Sequence, residues 1–144
     1  MYFDTSAVPL IFQRAGLVTP RTVPCVPLGK PALRRVVARL GGYPVVLKVL
    51  GGEGGVGVLR LDSWPALISV LDLLHAQGRT PLLSTYIPDA LHWRVVVVGA
   101  RAVAAYRNPT RADEFRYGVT RDPAAYFSEV RPDLAAPAIR AVQV

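Results

Sequence analysis

The chain has little cysteine and histidine and no long apolar run. Its 144 residues include one cysteine and two histidines. It therefore cannot close a disulfide within itself, and its sequence indicates no Ser/His/Asp or Cys/His catalytic set. None of its apolar runs approaches the roughly 20 residues that a membrane span needs. The first residues, Met-Tyr-Phe-Asp-Thr-Ser, lack the basic start and apolar stretch of a secretory signal. We therefore expect a cytoplasmic protein without a membrane partner.

The residues that are abundant favour a folded domain with a basic surface. Hydrophobic residues make up 51% of the chain and charged residues 19%, which suits one domain or a fragment of a two-domain fold. The net charge is +7, and of the 17 basic residues all but Lys30 and Lys48 are arginine. Arginine suits bidentate contacts with phosphate or carboxylate, although a biased genome composition gives the same enrichment. Because the basic residues are spread along the chain, they support nucleic-acid binding only weakly.

Turn and cap residues divide the chain into helices and strands. Pro31 suits the first position of a helix that ends at Gly41, and Ser63 can cap a helix that ends before Gly78. Gly99-Ala100 has the Gly-X pattern of a tight II′ hairpin turn. The patterns predict helices over 6–15, 31–40, 64–77 and 133–142, and strands over 22–26, 45–50, 58–61, 81–87, 93–98 and 101–107. The polar stretch 108–132 is expected to form a mobile loop.

A glycine-rich stretch joins two of these strands. Residues 52–57 match the pattern G-x-G-x-x-G, whose meaning depends on the secondary structure of the next segment. A dinucleotide-binding fingerprint needs a helix after the glycines, whereas a strand is predicted here. A protein-kinase loop needs a lysine on a following strand and later H-R-D and D-F-G motifs, which the sequence lacks. The stretch therefore predicts a β-hairpin with a glycine-rich tip, whose backbone can approach a phosphate closely.

Lys48 lies on the first strand of this hairpin, inside the apolar run Val-Val-Leu-Lys-Val at 45–49. A buried and unpaired lysine there would cost several kcal/mol. The position therefore favours a lysine that points into a cleft or at an anion, and a phosphate is the natural anion beside a glycine loop. The alternative is a lysine that reaches solvent from an edge strand beside a merely flexible turn.

In combination, these segments resemble the ATP-grasp superfamily. The resemblance is carried by Gly-Tyr-Pro-Val-Val-Leu-Lys-Val at 42–49, the glycine loop, a helix, the strand 82–87 and Trp-Arg-Val-Val-Val-Val-Gly at 93–99. It is strongest to the RimK-type ligases, which join an amino acid or peptide carboxylate to an amine. The resemblance implies an incomplete α+β ATP-grasp fold, with an N-terminal subdomain at residues 1–87 and part of a C-terminal subdomain at 88–144. It also implies ATP as ligand, Mg²⁺ as its metal and an acyl-phosphate intermediate.

The resemblance also implies roles for individual residues. Lys48 would contact the α- and β-phosphates, and Arg94 and Arg107 would face the phosphates and the activated carboxylate as catalytic residues. Such cations neutralise the charge that develops during acyl-phosphate formation. The glycine loop would close over the phosphates, and the hinge strand would meet the adenine edge through its backbone. The residues expected to bind ATP are Lys48, Gly52, Glu53, Gly54, Gly55, Val56, Gly57, Thr85, Tyr86 and Ile87.

The hairpin over 93–107 predicts independently that the two arginines lie near each other. A two-residue turn at Gly99-Ala100 pairs Val98 with Arg101, which places Ala105 opposite Arg94. Arg107 would then be diagonal to Arg94 on the same sheet face, about 7–8 Å away. Such a pair favours an anion between the two side chains. The alternative is two solvated arginines on an exposed face.

Several positions depart from the pattern of the family. They are Thr5 in place of a phosphate-binding lysine, Ser84-Thr85 in place of a hinge glutamate, His92 in place of an acidic residue, and Phe-Arg-Tyr-Gly at 115–118 in place of W-R-x-N. The magnesium-binding acidic and Asn residues of the family would lie on strands beyond Val144. We therefore expect no metal ligand within this chain.

Two functional interpretations remain open. The first is an ATP-binding domain of a RimK-type ligase, truncated or degenerate, whose catalytic activity the sequence leaves uncertain. The second is an inactive ATP-grasp scaffold that uses its arginines to bind an acidic protein or nucleic acid. In either case an incomplete fold would expose an unpaired sheet edge. We therefore expect a homodimer or a partner that covers this edge.

Overall fold

The computed structural model describes residues 7–24, 26–27, 29–49, 55–108, 114–116 and 129–144, and the backbone of 126–127. The chain divides into two compact units. The first comprises Met1–Leu10 and Thr19–Pro88, and the second Ile11–Val18 and Asp89–Val144. In chain order the elements are α1 (Val8–Arg14), β1 (Thr22–Val23), α2 (Lys30–Arg39), β2 (Val45–Lys48), β3 (Val58–Leu61), α3 (Trp64–Ala76), β4 (Leu82–Thr85), β5 (Trp93–Val98), β6 (Arg101–Arg107), β7 (Tyr126–Phe127) and α4 (Pro132–Val142). Within the described residues, no helix is long and apolar enough to cross a membrane.

Among the described strands, those of the first unit form an antiparallel sheet in the order β1-β4-β2-β3. Because side chains alternate between the faces of a strand, Val45 and Leu47 share one face, and Val46 and Lys48 share the other. Val45 and Leu47 are fully buried, whereas Lys48 is exposed. The sheet therefore has one face that belongs to the hydrophobic core and one that carries the predicted phosphate-binding lysine.

Two helices supply the rest of that core. α2 begins at Lys30, one residue earlier than predicted, so Pro31 is its second residue, and Gly41 and Gly42 follow its end with φ of 99° and 88°. Ser63 caps α3 by accepting a hydrogen bond from the Ala66 N–H at 3.4 Å. The helices bury apolar side chains at helical spacing against the sheet, namely Leu33, Val37 and Leu40 near α2 and Leu67, Leu71 and Leu74 in α3. These predictions of helix position and buried face are confirmed.

Two strands of the first unit are shorter than predicted. β1 ends at Val23 rather than at residue 26, because Pro24 lacks the N–H that would continue the ladder. β4 covers Leu82–Thr85 rather than 81–87. The predicted caps of the first helix at residues 4–6, together with Cys25 and Leu50, lie outside the described residues.

In the second unit, β5 and β6 form the predicted hairpin with the predicted bounds. Gly99 has a φ of 58°, and Ala100 is not in the left-handed region, as a II′ turn requires. Val98 pairs with Arg101 as expected. A β-bulge then interrupts the ladder, because Val97 pairs with Ala102 but Val96 pairs with Ala104. The extra residue shifts every later pair by one position.

The last helix, α4, also belongs to the second unit and begins one residue earlier than predicted, at Pro132. It packs against β5 and β6. Its Arg140 donates a hydrogen bond of 2.7 Å to the Ala15 carbonyl oxygen, just after α1. Gly16, with a φ of 70°, follows this carbonyl. The arginine therefore satisfies one of the carbonyl groups that a helix end leaves without a partner.

Candidate nucleotide-binding site

Lys48 is the last residue of β2 and lies on the sheet face opposite the core. Its ladder partners are Val58 on β3 and Leu82 on β4. The side chain is exposed, so the desolvation cost that a buried ammonium would carry does not arise. Within the described part of the chain, no carboxylate forms an ion pair with it. The predicted location at the end of an apolar strand is therefore observed, with an exposed side chain.

The described part of the glycine loop, residues 55–57, leads directly into β3. Gly55 and Gly57 have φ of 86° and 81°, and the Val49 N–H donates to the Gly57 carbonyl oxygen at 2.8 Å. A Cβ on Gly57 would lie 3.2 Å from the Val49 Cβ and 3.3 Å from its carbonyl oxygen. Glycine is therefore required here by both conformation and space. Val56 between them is 68% exposed. The predicted residues Gly52, Glu53 and Gly54 lie outside the described residues.

A second cation, Arg60, lies on the same face as Lys48 and was missed by the sequence analysis. It is opposite Val46 in the ladder, and so diagonal to Lys48. Its Nε and Nη2 lie 2.8 Å from Asp62 Oδ1. Its guanidinium lies 4.6 Å from the centre of the Tyr86 ring, and Nη1 donates to the Tyr86 hydroxyl at 3.4 Å. Because side chains alternate between the faces of a strand, the sequence of residues 58–61 could have placed Arg60 on this face. It could not have predicted the contact with Tyr86.

The predicted hinge residues differ in how much of their hydrogen-bonding capacity the fold uses. The Thr85 hydroxyl donates to the Leu40 carbonyl oxygen at 3.0 Å, and its N–H donates to the Arg21 carbonyl oxygen at 2.9 Å. Both donors of Thr85 thus serve the fold. Tyr86 and Ile87 follow the last ladder pair of β4. Their backbone groups are therefore not occupied by strand pairing.

Ser84 is buried and faces the same side of the sheet as Lys48. It pairs with Val46 on β2 and with Thr22 on β1. The Ser84 and Thr22 hydroxyl oxygens are 3.0 Å apart, and the Thr22 hydroxyl also lies 3.0 Å from the Pro20 carbonyl oxygen. If the Thr22 hydroxyl donates to Pro20, Ser84 is the donor to Thr22. Ser84 is therefore held in place beside Val46.

The predicted pairing of the two hairpin arginines is wrong. The bulge places Tyr106, not Ala105, opposite Arg94, and Arg107 lies opposite Trp93. Directly opposite residues share a sheet face and adjacent residues alternate. Arg94 and Arg107 therefore lie on opposite faces of the hairpin and do not enclose one anion. Both side chains are exposed.

His92, which replaces a family acid, ties the two ends of this hairpin together. Its carbonyl oxygen accepts from the Asn108 N–H at 3.0 Å, and the Asn108 side-chain nitrogen lies 2.7 Å from His92 Nδ1. Asn108 is fully buried. Burial lowers the pKa of the His92 imidazole, and the positive charge of Arg94 lowers it further. His92 therefore favours its neutral form, in which Nδ1 can accept the hydrogen bond from Asn108.

In the described ranges, no three His, Cys, Asp or Glu side chains lie close enough together to hold a metal ion. The carboxylates of Asp62, Glu114 and Asp133 each pair with an arginine two residues away in sequence. Because these three carboxylates are engaged by arginines, we assign none of the described residues to Mg²⁺.

The chain is similar to known ligases in sequence. The RimK-like ATP-grasp domain family matches residues 15–144. A probable alpha-L-glutamate ligase of Azotobacter vinelandii is 31% identical over 111 residues, which cover 76% of this chain and 37% of that protein. One from Halorhodospira halophila is 33% identical over 107 residues, covering 73% of this chain and 35% of that protein. The chain thus spans little more than a third of the length of these relatives.

Solved structures show the same fold. A RimK domain ATP-grasp protein from Sphaerobacter thermophilus superimposes with a TM-score of 0.64 at 26% identity, covering 97% of this chain and 49% of that chain. A D-alanine–D-alanine ligase from Bacillus anthracis has a TM-score of 0.69 at 17% identity, with 97% and 47% coverage; this likeness concerns the fold alone. The expected ATP-grasp fold is therefore confirmed, and the chain belongs to the RimK-like ATP-grasp domain family.

Proposed function

We propose that the chain forms the nucleotide-binding part of an ATP-dependent ligase that joins a carboxylate to an amine. The observation that carries this proposal is Lys48, an exposed ammonium at the end of a buried strand and beside a glycine hairpin. In this arrangement the amine meets the α- and β-phosphates of ATP while the backbone N–H groups of the hairpin approach the phosphate oxygens. The glycine loop is assigned to the phosphates by its sequence, since residues 52–54 lie outside the described residues.

The base of ATP is assigned to the segment that follows β4. Tyr86 and Ile87 lie past the ladder, so their backbone groups suit the hydrogen-bonding edge of adenine. Thr85 lies beside this segment but donates no hydrogen bond to the base, since its hydroxyl and its N–H are engaged with Leu40 and Arg21. The proposed site thus runs along β2 from Lys48 at the phosphates to Tyr86 and Ile87 at the base. In the terms of the family, residues 1–87 form the N-terminal subdomain and 88–144 part of the C-terminal one.

Of the two hairpin arginines, we assign the catalytic role to Arg94. Its face also carries Val96 and Val98, which are 41% and 63% exposed, although Tyr106 opposite Arg94 is buried. In such a ligase a carboxylate accepts the terminal phosphoryl group of ATP, and the amine then displaces phosphate from the acyl-phosphate. An arginine that neutralises the transferred group lowers the barrier of the first step. Arg107 lies on the opposite face and cannot share that anion.

Limited proteolysis tests the phosphate site directly. The chain contains three glutamates, Glu53, Glu114 and Glu129, so a glutamate-specific protease cuts the glycine loop at one point. We expect ATP to slow cleavage after Glu53 but not after Glu129. Lys48→Ala should abolish this protection. Lys30→Ala removes the other lysine of the chain, from the start of α2, and should retain it. Equal cleavage after Glu53 with and without ATP would contradict the proposal.

The interpretation as a basic binding module is less well supported. Three arginines of the described residues, Arg60, Arg116 and Arg131, pair with carboxylates, and the anion site between Arg94 and Arg107 does not exist. A salt titration of RNA and DNA binding separates the two functions, because affinity driven by phosphate contacts falls steeply with salt. Tight, salt-sensitive binding together with unprotected cleavage after Glu53 would favour the binding module.

A further inference from the structure

The ladder shows which residues share the Lys48 face of the first sheet, where Leu82 and Ser84 on β4 are buried and Lys48 and Arg60 are exposed. Leu82, Lys48 and Val58 form one row across β4, β2 and β3, and Ser84, Val46 and Arg60 form the next row on this face. Such rows are about 6.6 Å apart, two residues along a strand. Tyr86 follows one row further on. A nucleotide with its phosphates at Lys48 and its base edge at Tyr86 and Ile87 must cross the row of Val46 and Arg60.

Arg60 is fixed in a position that suits this path. β3 and β4 both pair with β2 and not with each other, so the contact between Arg60 and Tyr86 bridges β2. Asp62 holds the guanidinium from one edge at 2.8 Å, and the Tyr86 ring covers it at 4.6 Å. After these contacts 41% of the Arg60 side chain remains exposed. A planar cation with open surface is therefore held on this face between Asp62 and Tyr86.

We propose that Arg60 binds the base of the nucleotide by stacking, an inference that rests on the nucleotide site proposed above. Guanidinium groups are planar and weakly hydrated, and they stack on aromatic faces. Every purine or pyrimidine offers such a face. Asp62 and Tyr86 already restrict the Arg60 side chain before the nucleotide binds, so less conformational entropy is lost on binding. Arg60 thus favours nucleoside triphosphates over bare polyphosphates, whereas Lys48 binds both.

The test compares ATP with inorganic tripolyphosphate, titrated calorimetrically into the 144-residue chain. Arg60→Met should weaken ATP binding about 5-fold to 30-fold, the range of a partly desolvated cation–π contact, and leave tripolyphosphate binding unchanged. The ATP affinity of Arg60→Lys should lie between those of Arg60→Met and the wild-type chain, because lysine keeps the positive charge but lacks the planar guanidinium. Lys48→Met should weaken both ligands. Because the ratio of the two affinities is taken within one protein sample, a loss of folded protein does not alter it.

A second exposed arginine–aspartate pair with the same sequence spacing provides the control. Arg131 pairs with Asp133, also two residues away and exposed, at 2.7 Å in the second unit. Arg131→Met and Asp133→Asn should leave both affinities unchanged, whereas Asp62→Asn should weaken ATP alone, by less than Arg60→Met. Normal ATP binding by Arg60→Met together with lost binding by Lys48→Met would overturn the role of Arg60 and leave the proposed function standing. Absence of ATP binding in the wild-type chain would overturn both.

Discussion

Each unit contains a β-hairpin whose strands the sequence predicts, but only one of the two hairpins has the predicted register. In the first, β2 and β3 pair without interruption, and the alternation of buried and exposed residues assigns each side chain to a face. In the second, β5 and β6 have the predicted bounds and turn, yet a bulge shifts their pairing by one residue. The difference is that Val45 and Leu47 are buried in a core, which makes a register shift expensive. Residues 102–105, Ala-Val-Ala-Ala, are small and apolar on both faces and resist a shift much less.

The largest expected effect is a difference in the free energy of unfolding between a substitution in the core of the first unit and one on an exposed position of the second. Leu67→Ala, at a fully buried position of α3, should lower the free energy of unfolding by about 2–5 kcal/mol. Val96→Ala, 41% exposed on β5, should lower it by less than about 1 kcal/mol. Trp64 lies in the first unit and Trp93 in the second. Unfolding in urea is followed by tryptophan fluorescence, with Trp93 replaced by phenylalanine for Leu67→Ala and Trp64 replaced for Val96→Ala. Similar losses in both variants would contradict the comparison.

The next effect compares the two hairpin turns. Gly57→Ala combines a left-handed φ of 81° with a Cβ contact of 3.2 Å to Val49, and should destabilise the first unit by about 2–3 kcal/mol. Gly99→Ala has a φ of 58° but open space around its Cβ, and should cost the second unit about 1 kcal/mol. The same tryptophan reporters measure both. A larger loss for Gly99→Ala would mean that space around the turn does not decide the cost.

A one-residue shift is detectable by cross-linking. In a Cys25→Ser background, Val95→Cys with Ala105→Cys should oxidise to a disulfide, because these residues are directly opposite in the bulged ladder. Arg94→Cys with Ala105→Cys, the pair that an unbulged hairpin would place opposite, should remain as free thiols. Titration of free thiols after mild oxidation distinguishes them. The reverse result would restore the uninterrupted register and return Arg94 and Arg107 to one face.

The smallest effect concerns His92 at the end of the second hairpin. Since burial and Arg94 lower its pKa in the folded chain, the unfolded chain binds more protons below the ordinary value of about 6.5. The free energy of unfolding therefore falls as pH drops below that value, and this contribution is fully present above it. Arg94→Met should raise the midpoint of the His92 imidazole resonance in an NMR titration, and Arg131→Met should not. An unchanged midpoint in Arg94→Met would show that burial alone lowers the pKa.

Most element positions and the family could be predicted because they depend on short-range signals. Val58–Leu61, Trp93–Val98 and Arg101–Arg107 begin and end where the turn glycines and β-branched runs predict. The lysine before the glycine loop supported the resemblance to ATP-grasp proteins, which the family match confirms. The roles of the predicted ATP-binding residues stay predictions, and Gly52, Glu53 and Gly54 lie outside the described residues.

By itself the sequence determined most helices and strands, the buried faces of α2 and α3, and the family, since periodicity, caps and turn residues act over a few neighbouring positions. Only the tertiary structure decided the order β1-β4-β2-β3, which brings Arg60 across β2 to Tyr86. It also decided the bulge that separates Arg94 from Arg107. Both depend on contacts between segments distant along the chain. The relative energies of alternative strand orders and registers depend on side-chain packing rather than on local conformational preference.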